Sequence, residues 1–453
     1  MKHGQAVRRV GILCCAWLCA GQAFGQIFGG ELPPIGEPGP AIPSECKELP
    51  FTFKLGGSVG AATITNPATG KSEIYNTVSL QPEFGLGKFG LGLDLFVYFD
   101  SAGRVRGQDW NKTSDLVNKI SYARWGRKGD PLYARFGGLS GATLGHGFIM
   151  GGYTNRLRYP DVRQVGGELD FDLGYGGVES ILTDLHSASL FGGRAYLRPL
   201  HGTDLPLLRG LAFGLTGVVD KNPDSDKSTR NDSVGVYGVD AELPIFKNDL
   251  IQAKFYGDAA EMQLGSRYTN AGVQNKGKGY MAGFGGKVLF VDYRAEMRSV
   301  DANFVPNFFD SFYEIDRSTA GALKADRIPN STYPRRIGPL AELGVNLFDL
   351  VRADVLYESL NYDPLGVYPR VIGELRTSPT LFLGKAQVAA QYERRRLNKF
   401  GDISRTHNTD SILTTEISYL VNAGLRMTVV MKETYDEFGQ PLRTTQMRAD
   451  VRF

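Results

Sequence analysis

Apolar and polar positions alternate with a period of two along most of the chain, from Phe51 to Phe453. Between Val291 and Arg298, for example, Val, Tyr, Ala and Met alternate with Asp, Arg, Glu and Arg. A period of two predicts β-strands, because successive side chains of a strand point to opposite faces. Charge at every second position, opposite an apolar face, is the pattern of a strand with one face on lipid and one on water. Similar alternation recurs in segments 89–99, 168–173, 251–258, 341–347, 351–358, 385–393, 425–432 and 445–453.

The connections between these segments are of two kinds. Short links occur at 87–88, 247–249, 348–349, 378–379 and 421–423, and long polar ones at 101–119, 140–161, 220–232, 262–279, 300–337 and 394–409. Short turns at one end and long loops at the other are typical of outer-membrane barrels, whose sheets close because lipid cannot satisfy free backbone groups. The pattern predicts an all-β fold, a transmembrane antiparallel up-and-down β-barrel of about 20 strands, with a range of 16–22.

The C-terminal segment is the most specific local signal. Met447, Ala449, Val451 and the terminal Phe453 alternate with Gln, Arg, Asp and Arg. This resembles the closing strand of porin-like, Gram-negative outer-membrane β-barrel proteins. The resemblance implies an outer-membrane location, contact with its lipids and lipopolysaccharide, and Phe453 as the assembly signal read by the barrel-assembly machinery. A soluble all-β protein such as a propeller is the alternative, but no repeat of fixed period is present.

The first 50 residues have a different composition. Three basic residues precede the apolar stretch 10–20, and Ala23-Phe24-Gly25 places small residues at the positions that a signal peptidase reads. We therefore expect a signal peptide, residues 1–25, that is cleaved on export. Segment 26–50 is rich in Pro and is predicted to be an extended periplasmic lead-in, which leaves 51–453 for the barrel.

The net charge and the number and spacing of potential catalytic and metal-binding residues argue against several classes of function. Loss of Lys2, Arg8 and Arg9 with the signal lowers the formal net charge from +3 to 0, so no basic excess indicates a nucleic-acid partner. The remaining histidines are scattered without metal-ligand spacing, and we expect neither metal, cofactor nor catalytic residues. His186, beside Ser187 and Ser189, is the one candidate for rim catalysis, and an ordinary water-facing residue is the favoured interpretation.

If the apolar positions face lipid, the opposite positions line the lumen. Their charges place an acidic sector opposite a mixed, Arg-rich one, which would orient polar solutes. The alternative is that these charges pair between strands and only stiffen the wall. The predicted channel-lining residues are Glu168, Asp170, Asp172, Asp258, Asp292, Arg294, Glu296, Arg298, Arg352, Asp354, Arg426 and Arg448.

Segment 140–161 differs from the other long connections. It contains five Gly and an apolar triplet that an exposed loop would not need. We predict that it folds into the lumen as a constriction or plug, in a position that resembles the third loop of general porins; the alternative is an outer loop packed on its neighbours. The candidate residues are His146, Phe148, Ile149, Met150 and Arg156.

These patterns favour an outer-membrane channel for passive diffusion of small polar solutes, restricted by segment 140–161. One alternative is a gated, plugged barrel that takes up hydrophobic or larger substrates, with segment 300–337, which is rich in Phe, as its capture surface. The other is an anchoring or adhesion barrel that binds a partner through the same segment. Oligomerisation is possible in each case.

Overall fold

The computed structural model describes most of the predicted barrel. The described residues are 51–65, 72–159, 162–205, 207–226, 229, 231–248, 250–270, 276–319, 322–328, 334–361, 369–397, 400–404, 409–422, 424–435 and 440–452. The predicted signal peptide 1–25, the lead-in 26–50 and the assembly signal Phe453 lie outside these residues.

The strands form one closed antiparallel sheet, which confirms the predicted all-β barrel. The sheet has 21 segments, and Phe89–Leu93 and Leu95–Phe99 both pair with the same neighbour, so they form one strand interrupted at Asp94 and the barrel has 20 strands. The strands of the first half are β1 Thr52–Thr65, β2 Ser72–Leu86, β3 Phe89–Leu93 with Leu95–Phe99, β4 Ile120–Trp125, β5 Leu132–Gly137, β6 Gly166–Asp172, β7 Gly176–Leu182, β8 Leu190–Leu197, β9 Ala212–Asp220 and β10 Val234–Lys247. Those of the second half are β11 Ile251–Leu264, β12 Lys276–Val288, β13 Val291–Val300, β14 Arg336–Leu347, β15 Val351–Glu358, β16 Arg370–Thr377, β17 Ala386–Arg394, β18 Ser411–Asn422, β19 Leu425–Tyr435 and β20 Pro441–Arg452.

The last strand closes the sheet on the first. β20 pairs with β1 in antiparallel register, with Met447 opposite Val59 and Arg448 opposite Ser58. Every strand pairs with the strands before and after it in sequence, which is the up-and-down order. Closure removes both sheet edges, so no backbone row is left unpaired toward lipid.

The two ends of the barrel carry connections of different length, as predicted. Gly87 and Lys88 alone join β2 to β3, and Gly87 has φ +55, a left-handed value that glycine adopts without strain. One connection at this short-turn end is longer than the predicted link 378–379, because residues 378–385 contain a 3-10 helix, Pro379–Phe382, whose first turn is capped by the Ser378 side chain. The connection between β8 and β9 at the same end is also long and has no predicted counterpart.

The described part of the chain contains few helices, and all of them are short. They are α1 Thr113–Val117, α2 Ser266–Asn270 and α3 Tyr313–Asp316, with 3-10 turns at Gly107–Asp109, Lys324–Arg327 and Phe400–Ser404 and a small hairpin of Ser318–Thr319 with Ala322–Leu323. Within the described ranges, no helix has the length and hydropathy needed to cross a membrane.

The outer surface of the strands is apolar. On β12 and β13 the outward side chains include Phe284 and Met297, which are 48% and 55% exposed, whereas the inward Arg298 is 2% exposed. An apolar exterior around a charged interior is what a bilayer requires of a barrel wall. The side chains that fill the lumen are therefore the place to look for function.

Candidate functional site

Residues 138–159 and 162–165, here called the inner loop, fold into the lumen. The apolar triplet of this loop, Phe148, Ile149 and Met150, is 1%, 5% and 0% exposed. The triplet packs against inward side chains of β7–β13 in one buried cluster, which includes Val218 and Met262. Only about 10 Å³ of free space remains between this part of the loop and β9–β11, about the volume needed for a single water.

A second loop, residues 301–319 and 322–328, covers the inner loop and is here called the aromatic loop. The ring of Phe304 stacks on Phe148 with centroids 5.3 Å apart, and Asn307 N donates to the Phe148 carbonyl at 2.7 Å. The other aromatic rings in the first half of this loop are buried as well. They are Phe308, Phe309, Phe312 and Tyr313, each no more than 1% exposed.

Buried ion pairs hold the aromatic loop to two sides of the barrel. On one side the Arg317 side chain contacts Asp220 of β9 at 3.0 Å, and Tyr313 Oη donates to the same carboxylate at 2.8 Å. On the other side Arg395, next to β17, donates through Nη2 to Asp316 Oδ1 at 2.8 Å. Because Asp220 is fully buried and these partners belong to the loop, the contact fixes the loop to the wall.

The inner loop is also held from both sides. His146 lies between two carboxylates, with Nδ1 2.7 Å from Asp258 Oδ1 and Nε2 3.1 Å from Glu242 Oε2. Across the lumen, Lys432 of β19 donates to the carbonyl oxygens of Arg156 and Leu157 at 2.8 and 3.0 Å. The loop therefore crosses the lumen from the β10–β11 wall to β19.

The end of the inner loop contacts β3. Arg163 Nη1 donates to Asp94 Oδ2 at 3.1 Å, and its guanidinium lies 3.3 Å from the centroid of Phe96. Tyr159 Oη also donates to Asp94, at 2.5 Å. Burial raises the pKa of the Tyr159 hydroxyl well above its usual value, so this group remains a donor at any ordinary pH.

The remaining half of the lumen is an open cavity of about 480 Å³. Its wall comes from β1–β4 and β13–β20, and its floor from small polar residues of the inner loop such as Thr143, Gly147 and Gly151. The lining extends from Gly424, in a turn at the short-turn end, to Thr444, near the other end of β20. The cavity thus follows the barrel axis along one side, and charged, polar and apolar side chains all line it.

Charges of both signs line this cavity. Nine are basic and seven acidic, so the lining is slightly positive. The basic ones are Lys54, Arg156, Arg294, Arg298, Arg370, Arg376, Arg426, Lys432 and Arg448, and the acidic ones are Glu83, Asp94, Glu342, Glu358, Glu393, Glu416 and Asp450.

The predicted lining residues separate into two groups. Arg294, Arg298, Arg426 and Arg448 line the open cavity, as does the predicted loop residue Arg156. The other eight do not border the cavity and instead make ion pairs within the wall or to the inner loop. These pairs are Glu168 and Asp170 with Lys128, Asp172 with Arg198, Asp258 with His146, Glu296 with Arg298, and Arg352 with Asp354 and Asp292.

The acidic sector lies behind the inner loop and is compensated by bases. Arg194 binds Asp240 at 2.6 Å and Glu179 at 3.0 Å, and Lys254 binds Glu242 at 2.7 Å. Sequence reasoning missed Arg194 and Lys254 as the partners of these acids. The signal was present, because Arg194 lies directly opposite Glu179 and Lys254 shares the inward parity of β11 next to Glu242.

No metal site is found among the described residues. No group of three or more His, Cys, Asp or Glu side chains there could hold a metal ion. His186 is exposed, and Ser189 Oγ accepts a hydrogen bond from Arg317 Nη2 at 2.6 Å.

Comparisons with known proteins gave likenesses to solved structures only. No family model matches the sequence, and the curated proteins give no match. The outer membrane protein OprD of Pseudomonas aeruginosa is 11% identical with a TM-score of 0.33, over 89% of this chain and 93% of that one. OpdO of the same organism is 9% identical with a TM-score of 0.36, over 89% and 97%.

A third structure of this kind is Wzi of Escherichia coli, an outer membrane protein involved in group 1 capsule assembly and a carbohydrate-binding β-barrel. It is 9% identical with a TM-score of 0.34, over 88% of this chain and 84% of that one. The 20-strand closure, apolar exterior and charged lumen of the present chain are those of an antiparallel up-and-down β-barrel whose outer surface suits a lipid bilayer.

Proposed function

We propose that this protein is an outer-membrane channel through which small polar solutes diffuse passively, with the inner loop as its restriction. The proposal rests on the open cavity, which follows the barrel axis between the inner loop and the wall of β13–β20 and β1–β4. Its lining of charged and amide side chains favours hydrated solutes and disfavours apolar ones. A cavity of about 480 Å³ limits passage to small molecules.

The roles of the individual residues follow from their positions. Phe148, Ile149 and Met150 hold the inner loop against one wall, and the loop reduces the lumen to the remaining side. Arg156 stands where the loop reaches β19, and it borders the cavity together with Arg426 and Arg448 of β19 and β20. We therefore assign the narrowest part of the path to the level of Arg156 and Lys432.

One observation favours a second function, a gated uptake barrel. The two loops are attached to β3, β9, β11 and β19 and to Arg395 beside β17, so the contacts surround the lumen. A plug held in this way would need a trigger to open, and the aromatic loop would have to move as well.

The test is the swelling of proteoliposomes in a series of uncharged sugars and amino acids of increasing size. A restricted channel gives swelling that falls steeply with solute size, while the gated barrel gives almost none for any solute. Arg448→Gln is the matched lining variant and should keep the size limit. Swelling that is independent of solute size would contradict the restriction by the inner loop.

A further inference from the structure

At the tip of the inner loop, a histidine side chain is held between two acids of the wall. His146 is buried, and each of its ring nitrogens is within hydrogen-bond distance of a different carboxylate, Asp258 of β11 at 2.7 Å and Glu242 of β10 at 3.1 Å. The imidazole also stacks on the ring of Tyr256, with centroids 4.4 Å apart.

This arrangement requires a proton. A neutral imidazole has one N–H donor and one acceptor nitrogen, so it can satisfy one carboxylate and opposes the other. Only the imidazolium donates from both nitrogens; protonating one carboxylate instead would also add one proton to the cluster. The attached tip therefore binds one proton more than a released tip with a neutral histidine.

Several other charged groups lie around the tip and contact either its backbone or the two acids. Lys254 forms an ion pair with Glu242 at 2.7 Å. Asp240 and Glu296 add negative potential at Asp258. Arg294 does not compete for the two acids, because its Nη2 donates to the His146 carbonyl oxygen at 2.6 Å. At the preceding residue, Gly145 N donates to Glu179 at 3.2 Å, and Arg194 lies beside Gly145.

Glycines in left-handed backbone conformations flank the histidine on both sides. Gly145 and Gly147 have φ +57 and +79, values at which other residues are strained. Thr143 and Gly147 border the open cavity, so a displacement of the tip changes the width of the path. The apolar triplet that follows is held separately by the buried cluster.

We propose that His146 is a pH-dependent latch: its protonated ring holds the inner-loop tip against the wall, and its deprotonation releases the tip and widens the path. The predicted effect on conductance rests on the proposed channel function, whereas the pH-dependent attachment of the tip does not depend on it. Burial opposes the charged ring, yet the two carboxylate partners outweigh it and raise the pKa of His146 above that of a free histidine. The attachment is therefore complete below the usual histidine pKa and is lost as the pH rises through the raised value.

The attachment can be measured without any transport assay. We would replace Cys46 by Ser, introduce Leu144→Cys at a buried position of the tip, and follow the rate of N-ethylmaleimide labelling from about pH 5.5 to about pH 9.5, on both sides of the histidine pKa. The same rates are then measured with His146→Gln added. The ratio of the rate with His146→Gln to the rate without it does not contain the ionisation of the thiol, because both proteins carry the same cysteine. We expect a ratio on the order of tenfold or more at the acid end, from loss of a charge-assisted hydrogen bond, falling toward one at the alkaline end.

His186→Gln is the matched control, because His186 is exposed and lies outside the inner loop. It should leave the labelling rates unchanged at every pH. A ratio that does not change with pH, or one near unity throughout, would overturn the latch. His146→Lys gives a second variant whose charge persists over this range, and it should keep labelling slow at the alkaline end.

Conductance separates this inference from the proposed function. If both the latch and the channel are correct, the conductance of the unaltered protein increases as the pH rises. The His146→Gln variant then shows, at every pH, the conductance that the unaltered protein reaches at alkaline pH. A pH-dependent labelling ratio without conductance at any pH would support the latch and contradict the channel. Conductance that does not respond to pH in the unaltered protein, with a constant labelling ratio, would contradict the latch alone.

Discussion

The two halves of the lumen are built differently on the same alternating strands. In the half behind the inner loop, the inward positions near the long-loop end are apolar, such as Val218, Val236 and Met262, each 0% exposed. In the open half, the corresponding strands carry Thr414, Glu416 and other polar side chains that face the cavity. One half of the barrel thus behaves as the core of a folded domain, and the other as the wall of a polar path.

This difference shows where structure and transport can be altered independently. A substitution in the filled half should disturb the position of the loops, because buried apolar contacts and ion pairs hold them there. A substitution at the more exposed charges of the open half, such as Glu416 and Arg448, should change which solutes pass while leaving the fold intact, because these charges are partly hydrated.

The largest effect is expected from Asp220→Ala in the filled half. Asp220 is fully buried and binds both Arg317 and Tyr313 of the aromatic loop. Removal of the carboxylate takes away the nearest acid of a buried guanidinium, a change that costs about 3–5 kcal/mol. Urea unfolding in lipid vesicles should show this loss as a lower free energy of unfolding.

The matched substitution in the open half is Glu416→Ala. Glu416 lies 3.7 Å from Arg448 and borders the cavity. We expect a change of no more than about 1 kcal/mol in the free energy of unfolding. Equal losses for the two variants would contradict the division of the lumen into two halves.

The next effect concerns the packing of the loops on each other. Phe148→Ala removes the ring that stacks on Phe304, at a cost of about 3 kcal/mol. Because this packing holds the loops in place and leaves the pairing between strands unchanged, local opening should increase on the order of 100-fold and be seen as faster proteolysis within the two loops. Phe284→Ala, on the lipid-facing side of β12, is the control and should leave loop cleavage unchanged.

A smaller effect is expected on ion selectivity. Arg426→Gln together with Arg448→Gln removes two of the nine basic groups in the cavity lining. The reversal potential in a KCl gradient should shift toward cation preference, by roughly a twofold change in the permeability ratio. Lys128→Gln, which alters a base paired with Glu168 behind the inner loop, should not shift it. An equal shift of the reversal potential for Lys128→Gln would show that the charges behind the inner loop also interact with the permeating ions.

The smallest effect is expected at acid pH, for the attachment of the aromatic loop to Arg395. Burial alone would raise the pKa of Asp316, but Arg395 outweighs it and lowers this pKa to about 2. A carboxyl group with a lowered pKa stabilises the folded state fully above its ordinary value and loses this contribution as the pH falls through the lowered one. Proteolysis of the aromatic loop should therefore not change between about pH 7 and about pH 5, both above the ordinary value. A marked increase over this interval would contradict the account.

Much of the fold could be predicted from local sequence. The alternation in Val291–Arg298 predicts a strand with Arg294 and Arg298 on one face, and the structure has β13 in this arrangement. The pattern also locates the short links after β2 and β14 correctly. These features follow from the period of two and from turn chemistry, which neighbouring residues determine.

The contacts across the lumen could not be predicted in the same way. Lys432 and Arg156 are far apart in sequence, and their contact depends on the path of the loop through the closed barrel. A signal did exist for the filled half. At the start of β10, Val234 and Val236 are apolar on the inward parity, where a water-filled lumen would favour polar side chains. Such a break in alternation indicates that another segment of the protein packs against this part of the inner wall. It does not identify that segment.

The central claim is that one side of the lumen is an open polar path and that the inner loop limits its width. The most direct test is single-channel conductance in a planar bilayer, comparing the unaltered protein with a deletion of residues 145–155. We predict a stable conductance for the unaltered protein and a larger one for the deletion. Silence in the unaltered protein with a large conductance in the deletion would contradict an open path and indicate a plug, and silence in both would contradict a channel altogether.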